Sequence, residues 1–577
     1  MINLVGNFNP SSVTDPQGGI LLSWGSYRFP LTTFISVPGG GWVKFGKGSN
    51  PILATITNPV KANLLNWQIV NSQFIATRTV ARLNGRIQVS DTITNLTSSD
   101  LGFMVRNEVS LPSDPTEKYI GGNNLPALLQ MTQPEHPTVF VPMGGVSLGL
   151  VAEDDVFRAQ NILYCFNQIA GIRTERLVVK AKSSVTLKWS CYFSAMDYWG
   201  FINRVRKDWK VSPTLQGPYW WLPIATAEAL DDATLGNWLN KAKPYAAVIE
   251  SWLDFSKPDK PPMVGLGVGI QDPYFDNWRD KVIVTIQRIK KLAPFVKVLV
   301  YNHRWYNFPQ NSGTFPDSQI KLADGTQSTE NWGGMYSNAY GVYPTLTNSF
   351  GKAFEAMITT QTKELGSDGV YVDEYYRSGS LNDPITYSEW DGVSAILDPT
   401  TFTIKTKVGY IWLLSKAFDK AVFGPMKYFL GNVQPYTIED NQGTLLHMCE
   451  TEYLPGTMLT HLFSPIAFDV KFQTYTVQDI IDRLKLGAVY GVTGPGDKLG
   501  ISSKLFPITP TYIEAGVITG VERIITCITG RYGWNGSFKY TRYDFDSLGN
   551  MATASGVGVN NISVVVPSNG LVVIQKN

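Results

Sequence analysis

The segment Gly369–Asp373, with the sequence Gly-Val-Tyr-Val-Asp, constrains the fold more than any other part of this 577-residue chain. It is an apolar run of strand length, and it ends in two adjacent carboxylates, Asp373 and Glu374. Apolar residues recur at helical spacing over Phe350–Leu365, and Gly366 follows where helices commonly end. A helix, a glycine, a buried strand and acids at the carboxyl end of the strand are typical of a (β/α)8 barrel that presents a catalytic carboxylate.

The remaining sequence divides into regions of different pattern. Short alternating runs between Gly-rich and Asn-Gly turns fill the first part, a helical segment follows, and strands then alternate with helices before short strands return. We therefore expect a multidomain protein of mixed α/β and all-β class. The predicted domains are an N-terminal β-sandwich over 1–193, a helical linker over 194–214, a central TIM (β/α)8 barrel over 215–507 and a C-terminal β-sandwich over 508–577.

Within the central region the pattern predicts specific elements. Helices are expected over 276–293 and 402–422, and a short capped helix begins at Thr476. The strands of the barrel are predicted at Trp220–Ile224, Ala246–Glu250, Val296–Tyr301, Gly369–Asp373, Tyr428–Asn432, Leu445–Met448, Met458–Phe463 and Ala488–Val492.

Composition excludes several classes of function. The net charge is +2 and no long basic run occurs, so nucleic acid is not an expected partner. No apolar segment is long enough to span a membrane, and the first residues show no secretory signal. A cytoplasmic location, association with a virion, export by a non-classical route and a trimmed signal all stay open. The sequence does not indicate the oligomeric state.

The cysteines and histidines indicate no metal site. The four cysteines, Cys165, Cys191, Cys449 and Cys527, are far apart without CxxC spacing, and the four histidines are not at ligand spacing. We expect no metal and no cofactor. Whether the cysteines are free thiols or form a bridge is open at this point.

Polar and aromatic residues follow the predicted strands, at the end where a barrel carries its reactive groups. The candidate catalytic residues are the carboxylates Asp373, Glu374, Glu450 and Glu452. The candidate substrate-binding residues are Glu250, Trp252, Asn302, His303, Arg304, Trp305, Tyr375, Arg377 and Asn432. Glycoside cleavage requires two carboxylates that flank the scissile bond, and sugars bind to aromatic rings, amides, acids and arginines.

Structural explanations exist for several of these residues. Glu250 is equally explained as a strand-end acid paired with Arg304, and Asn302–Trp305 as a structural cluster below the loop. Glu450 and Glu452 are also compatible with solvated loop charges. Asp373 is the hardest to explain structurally, because a carboxylate that ends an apolar strand is costly to bury without a partner or a task.

The predicted domain order resembles that of glycoside hydrolases with a galactose-mutarotase-like supersandwich, in particular the alpha-galactosidase-like and endo-alpha-N-acetylgalactosaminidase-like groups. In such families the nucleophile is an Asp that ends the fourth strand, and Asp-Gly-Val-Tyr-Val-Asp373 is similar to that motif. The acid/base comes from a later strand, which implies Glu450 or Glu452. The chain departs from the pattern in that Glu374 follows Asp373 directly, and only one of the two faces the barrel mouth if the strand is regular to its end.

The sequence therefore predicts an enzyme, a glycoside hydrolase that cleaves O-glycosyl bonds of an oligosaccharide or polysaccharide. The mechanism expected is retaining, with an Asp nucleophile and a Glu acid/base. The alternative is a non-catalytic glycan-binding or structural protein, such as a capsid or coat component, on a glycosidase-derived scaffold. The sugar, the linkage and the anomeric configuration are not indicated.

Overall fold

The computed structural model describes residues 11–14, 19–24, 27–46, 64–83, 85–134, 136–250, 275–307, 315–330, 339–375, 384–432, 448–453, 466–469, 476–494, 497 and 500–577. These residues are mostly β-sheet with few helices. They form two compact units. The first contains the described residues of Met1–Ile202 and Ile385–Leu414, and the second those of Asn203–Pro384, Ser415–Pro435 and Asp440–Asn577.

The N-terminal part is built from strands, as the alternating sequence predicts. Its elements are β1 (Ser11–Thr14), β2 (Ile20–Trp24), β3 (Tyr27–Ser36), β4 (Trp42–Phe45), β5 (Leu64–Val70), β6 (Phe74–Leu83), β7 (Arg86–Asn95), β8 (Leu101–Ser110), β9 (Tyr119–Ile120), β10 (Gln130–Thr132), β11 (Thr138–Met143), β12 (Val146–Ala152), α1 (Asp155–Gln160), β13 (Ile162–Phe166), β14 (Ile169–Val179), β15 (Ser184–Ser194) and α2 (Tyr198–Asp208).

These strands form two antiparallel sheets that share one core. The first sheet has the order β1-β2-β3-β8-β14-β13-β10, with β4 also paired to β3, and the second has the order β5-β6-β7-β15-β12-β11-β9. Apolar side chains of alternate residues from both sheets form the core between them. A fully buried ion pair lies in this core, where the guanidinium of Arg78 binds both carboxylate oxygens of Asp91 at 2.7 and 2.8 Å.

The next region alternates strands and helices. Its elements are β16 (Tyr219–Pro223), α3 (Ile224–Ala229), α4 (Asp232–Ala242), β17 (Ala246–Glu250), α5 (Phe275–Leu292), β18 (Lys297–His303), β19 (Tyr306–Asn307), a 3-10 turn (Pro316–Ser318), β20 (Thr329–Glu330), β21 (Ala339–Gly341), α6 (Ser349–Lys363) and β22 (Gly369–Asp373).

The remaining elements include the last strands of the central region and the C-terminal strands. They are β23 (Ile385–Thr386), β24 (Ala395–Leu397), β25 (Ile404–Lys407), β26 (Gly409–Tyr410), α7 (Ile411–Val422), β27 (Phe429–Asn432), β28 (Met448–Tyr453), β29 (Ile466–Asp469), α8 (Val477–Lys485), β30 (Val489–Tyr490), β31 (Val492–Thr493), α9 (Ser502–Leu505), β32 (Pro510–Glu514), β33 (Val517–Gly520), β34 (Arg523–Thr526), β35 (Gly530–Tyr532), β36 (Ser537–Phe545), β37 (Met551–Val559), β38 (Ile562–Val564) and β39 (Leu571–Lys576).

A nine-stranded parallel sheet organises the second unit. Its order is β30-β29-β28-β27-β22-β18-β17-β16-β31. The two end strands, β30 and β31, are consecutive in sequence and flank Gly491. Among the described strands the pairings do not close the sheet. Counted from β16, β22 is the fourth strand, and it ends at Asp373 as the sequence predicts.

One predicted helix is corrected. The helix expected over 402–422 begins only at Ile411, because Ile404–Lys407 pairs with β24 as a strand. Residues 385–414 also belong to the first unit, a placement that the strand and helix pattern does not indicate. The predicted strand Met458–Phe463 lies outside the described residues, and most of Leu445–Met448 does too.

The C-terminal strands form a six-stranded antiparallel sheet with the order β32-β33-β34-β39-β36-β37 and a separate pair, β35 and β38. Apolar residues of both pack into one small core, including Val517, Ile524, Val564 and Val572. The return to short strands that the sequence predicts after the central region is thus present, for example as β34, β38 and β39.

Gly369 fixes the start of the strand that carries Asp373. A Cβ atom at this position would lie 1.8 Å from the main-chain oxygen of Tyr428. We predict that Gly369→Ala lowers the thermal unfolding midpoint by several degrees, since the overlap costs about 1–3 kcal/mol.

The matched control is Gly236→Ala in helix α4, where the nearest atom to a new Cβ, on Leu292, is 3.5 Å away. That substitution improves helix propensity and is expected to leave the midpoint unchanged or raise it. Equal midpoints for the two variants would contradict the close approach at Gly369.

Candidate active site

Strand β22 divides its side chains between two environments. Val370 and Val372 belong to an apolar cluster with residues of helix α6 such as Phe354. Side chains alternate along a strand, so Tyr371 and Asp373 point to the other side of the sheet. The helix therefore buries one face of β22, and the acid lies on the opposite face.

Four donors from the described residues hold the carboxylate of Asp373. Its Oδ2 accepts a hydrogen bond from the hydroxyl of Tyr301. Its Oδ1 accepts from the amide of Asn432 at 2.7 Å, the hydroxyl of Tyr371 at 3.3 Å and the main-chain N–H of Glu374 at 3.0 Å. Donors of this kind stabilise the ionised carboxylate and fix its orientation. Among the predicted binding residues whose side chains are described, Asn432 hydrogen-bonds to Asp373 directly.

An aromatic wall lies beside this carboxylate. The rings of Tyr301 and Tyr371 stack with centroids 5.5 Å apart. The indole of Trp221, on β16, meets both rings edge to face, with centroids 5.4 Å from Tyr301 and 4.7 Å from Tyr371. All three side chains project from parallel strands onto the face that carries Asp373. All three rings are buried, so they pack behind the carboxylate and fix its surroundings.

Glu374 has a left-handed main chain, with φ of 46°. Such a conformation is uncommon outside glycine and asparagine, and it ends the regular alternation of the strand. One Glu374 carboxylate oxygen lies 3.3 Å from Nε2 of His303, and His303 is the register partner of Asp373 on β18. The main-chain turn thus brings the second acid against a residue of the Asp373 face. The expectation that adjacent acids point oppositely holds only for a regular strand.

His303 also connects this acid to the segment after β18. Its ring lies 4.9 Å from the ring of Tyr306, whose hydroxyl donates to Oε2 of Glu330 at 2.5 Å. The indole N–H of Trp305 donates to the main-chain oxygen of Glu374 at 2.7 Å. The predicted residues His303 and Trp305 therefore lie beside Glu374. They hold the turn that follows β22.

The candidate binding residues Asn302, Arg304 and Tyr375 lie on the helix side of the sheet and not on the Asp373 face. The Asn302 amide exchanges hydrogen bonds with Gln361 of α6 at 2.9 and 3.0 Å. Arg304 is buried against the ring of Tyr375, and its guanidinium lies 2.8 Å from the carboxylate of Asp419. Side chains alternate between the two faces of a strand, so every second residue near a strand end points to the helices and not to the mouth.

The other predicted site residues have no described side chain. Trp252 and Arg377 lie outside the described residues. For Glu250, Glu450 and Glu452 the structure describes the main chain only. The register places Glu250 beside Pro223 and Glu450 beside Asn432.

Three residues of the Asp373 face were missed at the sequence level, namely Trp221, Tyr301 and Tyr371. A signal for them exists in the alternation. Tyr371 precedes Asp373 by two residues, so it shares its face, and Tyr301 is its register partner on β18. Within the described ranges, no three His, Cys, Asp or Glu side chains come together in a way that could hold a metal ion. In the same ranges, no helix is long and apolar enough to cross a membrane.

Comparison with solved structures identifies the fold. Ligand-free alpha-N-acetylgalactosaminidase NagBb from Bifidobacterium bifidum matches with a TM-score of 0.53 at 9% identity, over 90% of this chain and 98% of that one. The chain has a glycosidase-like fold. This confirms the resemblance to glycoside hydrolases that the domain order implies.

Two further solved structures match with lower scores. They are a GH36 alpha-galactosidase, AgaB, from Geobacillus stearothermophilus (TM-score 0.49, 10% identity, 98% and 87% of the two chains) and a GH31 family sulfoquinovosidase from E. rectale (0.44, 11%, 98% and 98%). No protein-family model and no curated protein matches the sequence.

The left-handed turn at Glu374 gives a test of the site geometry. We predict that Glu374→Gly unfolds at the same or a higher temperature, because glycine adopts this φ without strain. Glu374→Val is expected to be about 1–2 kcal/mol less stable than Glu374→Gly, since a β-branched residue is disfavoured there. Thermal unfolding followed by circular dichroism compares the two. Equal stability of the valine and glycine variants would show that the turn is not left-handed.

Proposed function

We propose that the protein is a retaining glycoside hydrolase with Asp373 as its nucleophile. The observation that carries the proposal is the Asp373 carboxylate, held by two tyrosine hydroxyls, an amide and a main-chain N–H at the carboxyl end of a parallel strand. Active sites of parallel α/β sheets lie at that end of the strands. The glycosidase-like fold supports the assignment of the chemistry to sugars.

The parallel sheet is proposed to be the (β/α)8 barrel of such an enzyme. The sheet contains nine named strands. They occupy eight strand positions if β30 and β31 are two halves of one interrupted strand. The first half pairs with β29 and the second with β16. The N–H of Tyr219 in β16 also donates to the main-chain oxygen of Gly491, between the halves, at 2.9 Å. On this proposal the strand at 489–493 closes the barrel and puts the ends of all eight strands around one mouth.

The proposed reaction has two displacements. Asp373 attacks the anomeric carbon, the glycosidic bond breaks, and the leaving oxygen takes a proton from the acid/base residue. That residue, then ionised, removes a proton from water, and the water oxygen displaces Asp373 from the anomeric carbon. Tyr301, Tyr371 and Asn432 keep the carboxylate in one orientation through both steps. This preorganisation requires no movement of the acid at the moment of reaction.

Glu450 is proposed as the acid/base. It is the register partner of Asn432, so it lies two strands from Asp373, about 10 Å across the sheet. This main-chain separation is compatible with the ~5–5.5 Å between carboxyl groups of a retaining enzyme. Glu452, two residues further along the same strand, is the substitute. Glu374 is the alternative nucleophile, because the turn brings it to the same face.

A carbohydrate is the proposed substrate. Trp221 is proposed to line its site, together with the predicted binding residues His303, Trp305 and Asn432. Glu250, Trp252 and Arg377 remain proposed binding residues.

The nucleophile is tested first. We predict that Asp373→Asn lowers kcat on an activated aryl glycoside by at least about a thousandfold, because an amide is nearly isosteric but does not attack. Asp368→Asn is the matched control. It changes the acid that precedes β22, whose carboxylate accepts from the N–H of Val298 at 2.8 Å, at the other end of the strand.

Azide is expected to restore turnover of Asp373→Ala, since a small anion replaces the missing nucleophile. A screen of aryl glycosides with the parent protein comes first and supplies the substrate. The assignment is overturned if Asp373→Asn keeps its activity. It is also overturned if Asp368→Asn or Glu374→Gln loses activity while Asp373→Asn does not.

The acid/base is tested by the leaving group. We predict that Glu450→Gln spares substrates with activated aryl leaving groups and reduces kcat on natural glycosides by about a hundredfold or more, since only poor leaving groups need a proton. Glu452→Gln is the control on the same strand. If Glu452→Gln shows the leaving-group dependence instead, the acid/base is the second glutamate; if neither does, the proposal for this strand is wrong.

One observation favours a second candidate. Both carboxylate oxygens of Asp373 accept hydrogen bonds from donors of the described part of the chain, as in a structural acid. The second candidate is therefore a non-catalytic glycan-binding or structural protein on a glycosidase-derived scaffold. It predicts that a glycan binds with unchanged affinity to the parent protein and to Asp373→Asn, with no turnover by either.

A further inference from the structure

The outer face of the first sheet of the N-terminal part carries a group of cations and aromatic rings. Core residues such as Val105 and Ile172 face inward, so their strand neighbours face outward. We name as the cationic face the outward residues Trp42, Lys44, Arg106, Tyr164 and Arg173.

Like charges lie directly opposite each other on this face. Arg106 of β8 is the register partner of Arg173 of β14, and Phe34 separates Arg106 from Lys44 on the other side. Directly opposed like charges destabilise a sheet. Among the described residues two acids lie on the same face. Glu175 has its Oε1 2.9 Å from Arg173 and 4.0 Å from Arg106, and Glu108, two residues along β8 from Arg106, accepts from Tyr164. Three cations, Lys44, Arg106 and Arg173, thus face two carboxylates. The row therefore keeps an excess of positive charge.

Each arginine is stacked on a ring. The guanidinium of Arg106 lies 4.6 Å from the ring of Trp42, and that of Arg173 lies 4.8 Å from the ring of Tyr164. Stacking holds the planar groups flat and preorganises their N–H edges. The Nε of Arg106 is buried and has no hydrogen-bond partner in the described part of the chain.

The tyrosine of this face is itself fixed. Its hydroxyl donates to Oε1 of Glu108 at 2.8 Å. Gly171 lies under its ring, where a Cβ would come within 2.4 Å of Tyr164. Burial, followed by the nearby Glu108, raises the pKa of Tyr164 well above its usual range, so the phenol remains a donor.

The segment 385–407 covers only the neighbouring part of the same sheet. Leu397 and Phe402 pack on Met104 and Val178, and the ring of Phe402 meets Trp42 edge to face at 5.0 Å. Trp42 nevertheless keeps 37% of its surface exposed, and the side chain of Arg106 also keeps 37%. The sheet thus forms a floor and the segment one wall of an open, positively charged site.

We propose that the cationic face binds an anionic glycan, a saccharide that carries carboxylate or sulfate groups. Arginine binds both groups through parallel N–H donors, and an exposed indole offers a surface for the apolar face of a sugar ring. The excess of cations selects for acidic over neutral saccharides. This binding is separate from catalysis at Asp373 and does not depend on it.

Isothermal titration at 0.15 M salt tests the proposal with three probes, a heparin-derived hexasaccharide, maltohexaose and a hexaglutamate peptide. We expect the heparin hexasaccharide to bind, and Arg106→Ala and Trp42→Ala each to weaken its affinity by about tenfold or more. Arg106→Lys keeps the positive charge but lacks the planar guanidinium, so its affinity for the heparin hexasaccharide is expected to lie between those of the parent and of Arg106→Ala. Turnover of aryl glycosides, where the parent shows it, stays unchanged in these variants.

Arg531→Ala is the matched control, an exposed arginine on the C-terminal strand β35. Thermal unfolding of each variant separates lost folding from lost binding, and Trp42→Phe replaces the alanine variant if that one does not fold. The proposal is overturned if the parent fails to bind the heparin hexasaccharide, if maltohexaose or hexaglutamate binds equally well, or if Arg531→Ala weakens binding as much as Arg106→Ala.

Discussion

The candidate site depends on the way in which one five-residue strand divides its side chains. Val370 and Val372 pack against helix α6, and this apolar contact fixes which face of β22 is turned to the helices. Because side chains alternate along a strand, Tyr371 and Asp373 then lie on the opposite face. A shift of register by one residue would bury the carboxylate among apolar side chains, at a cost of several kcal/mol. The position of the acid therefore follows from the packing of its neighbours.

The charge of Asp373 is tolerated because its surroundings supply donors. Tyr301 and Asn432 come from the strands on either side, so the parallel sheet itself assembles the contacts. The left-handed turn at Glu374 adds a main-chain donor and moves a second carboxylate next to His303. A residue in this conformation is strained, and such strain is concentrated at functional sites. Two acids, two hydroxyls and one amide thus meet where a parallel sheet ordinarily carries its chemistry.

The sequence was sufficient for those features that depend on local pattern. Strand β22 and its terminal acid were predicted from an apolar run and a preceding helix, and both ends agree with the structure. Asn302 and Arg304 were placed wrongly, because their proximity to a strand end says nothing about which face they occupy. The turn at Glu374 depends on a left-handed main-chain conformation, which a glutamate in the sequence does not indicate. The placement of residues 385–414 with the first unit depends on tertiary contacts, which periodicity does not reveal.

Asp373 is proposed to form a covalent bond to a sugar, and this step can be observed. The most direct measurement is mass spectrometry of peptides after incubation with mechanism-based glycosidase inactivators, such as 2-deoxy-2-fluoro glycosyl fluorides of both anomeric configurations. We expect one glycosyl adduct on the peptide that contains Gly369–Asp373, with fragment ions that place it on Asp373. An adduct on Glu374 would contradict this proposal, as would inversion at the anomeric centre of the product observed by NMR.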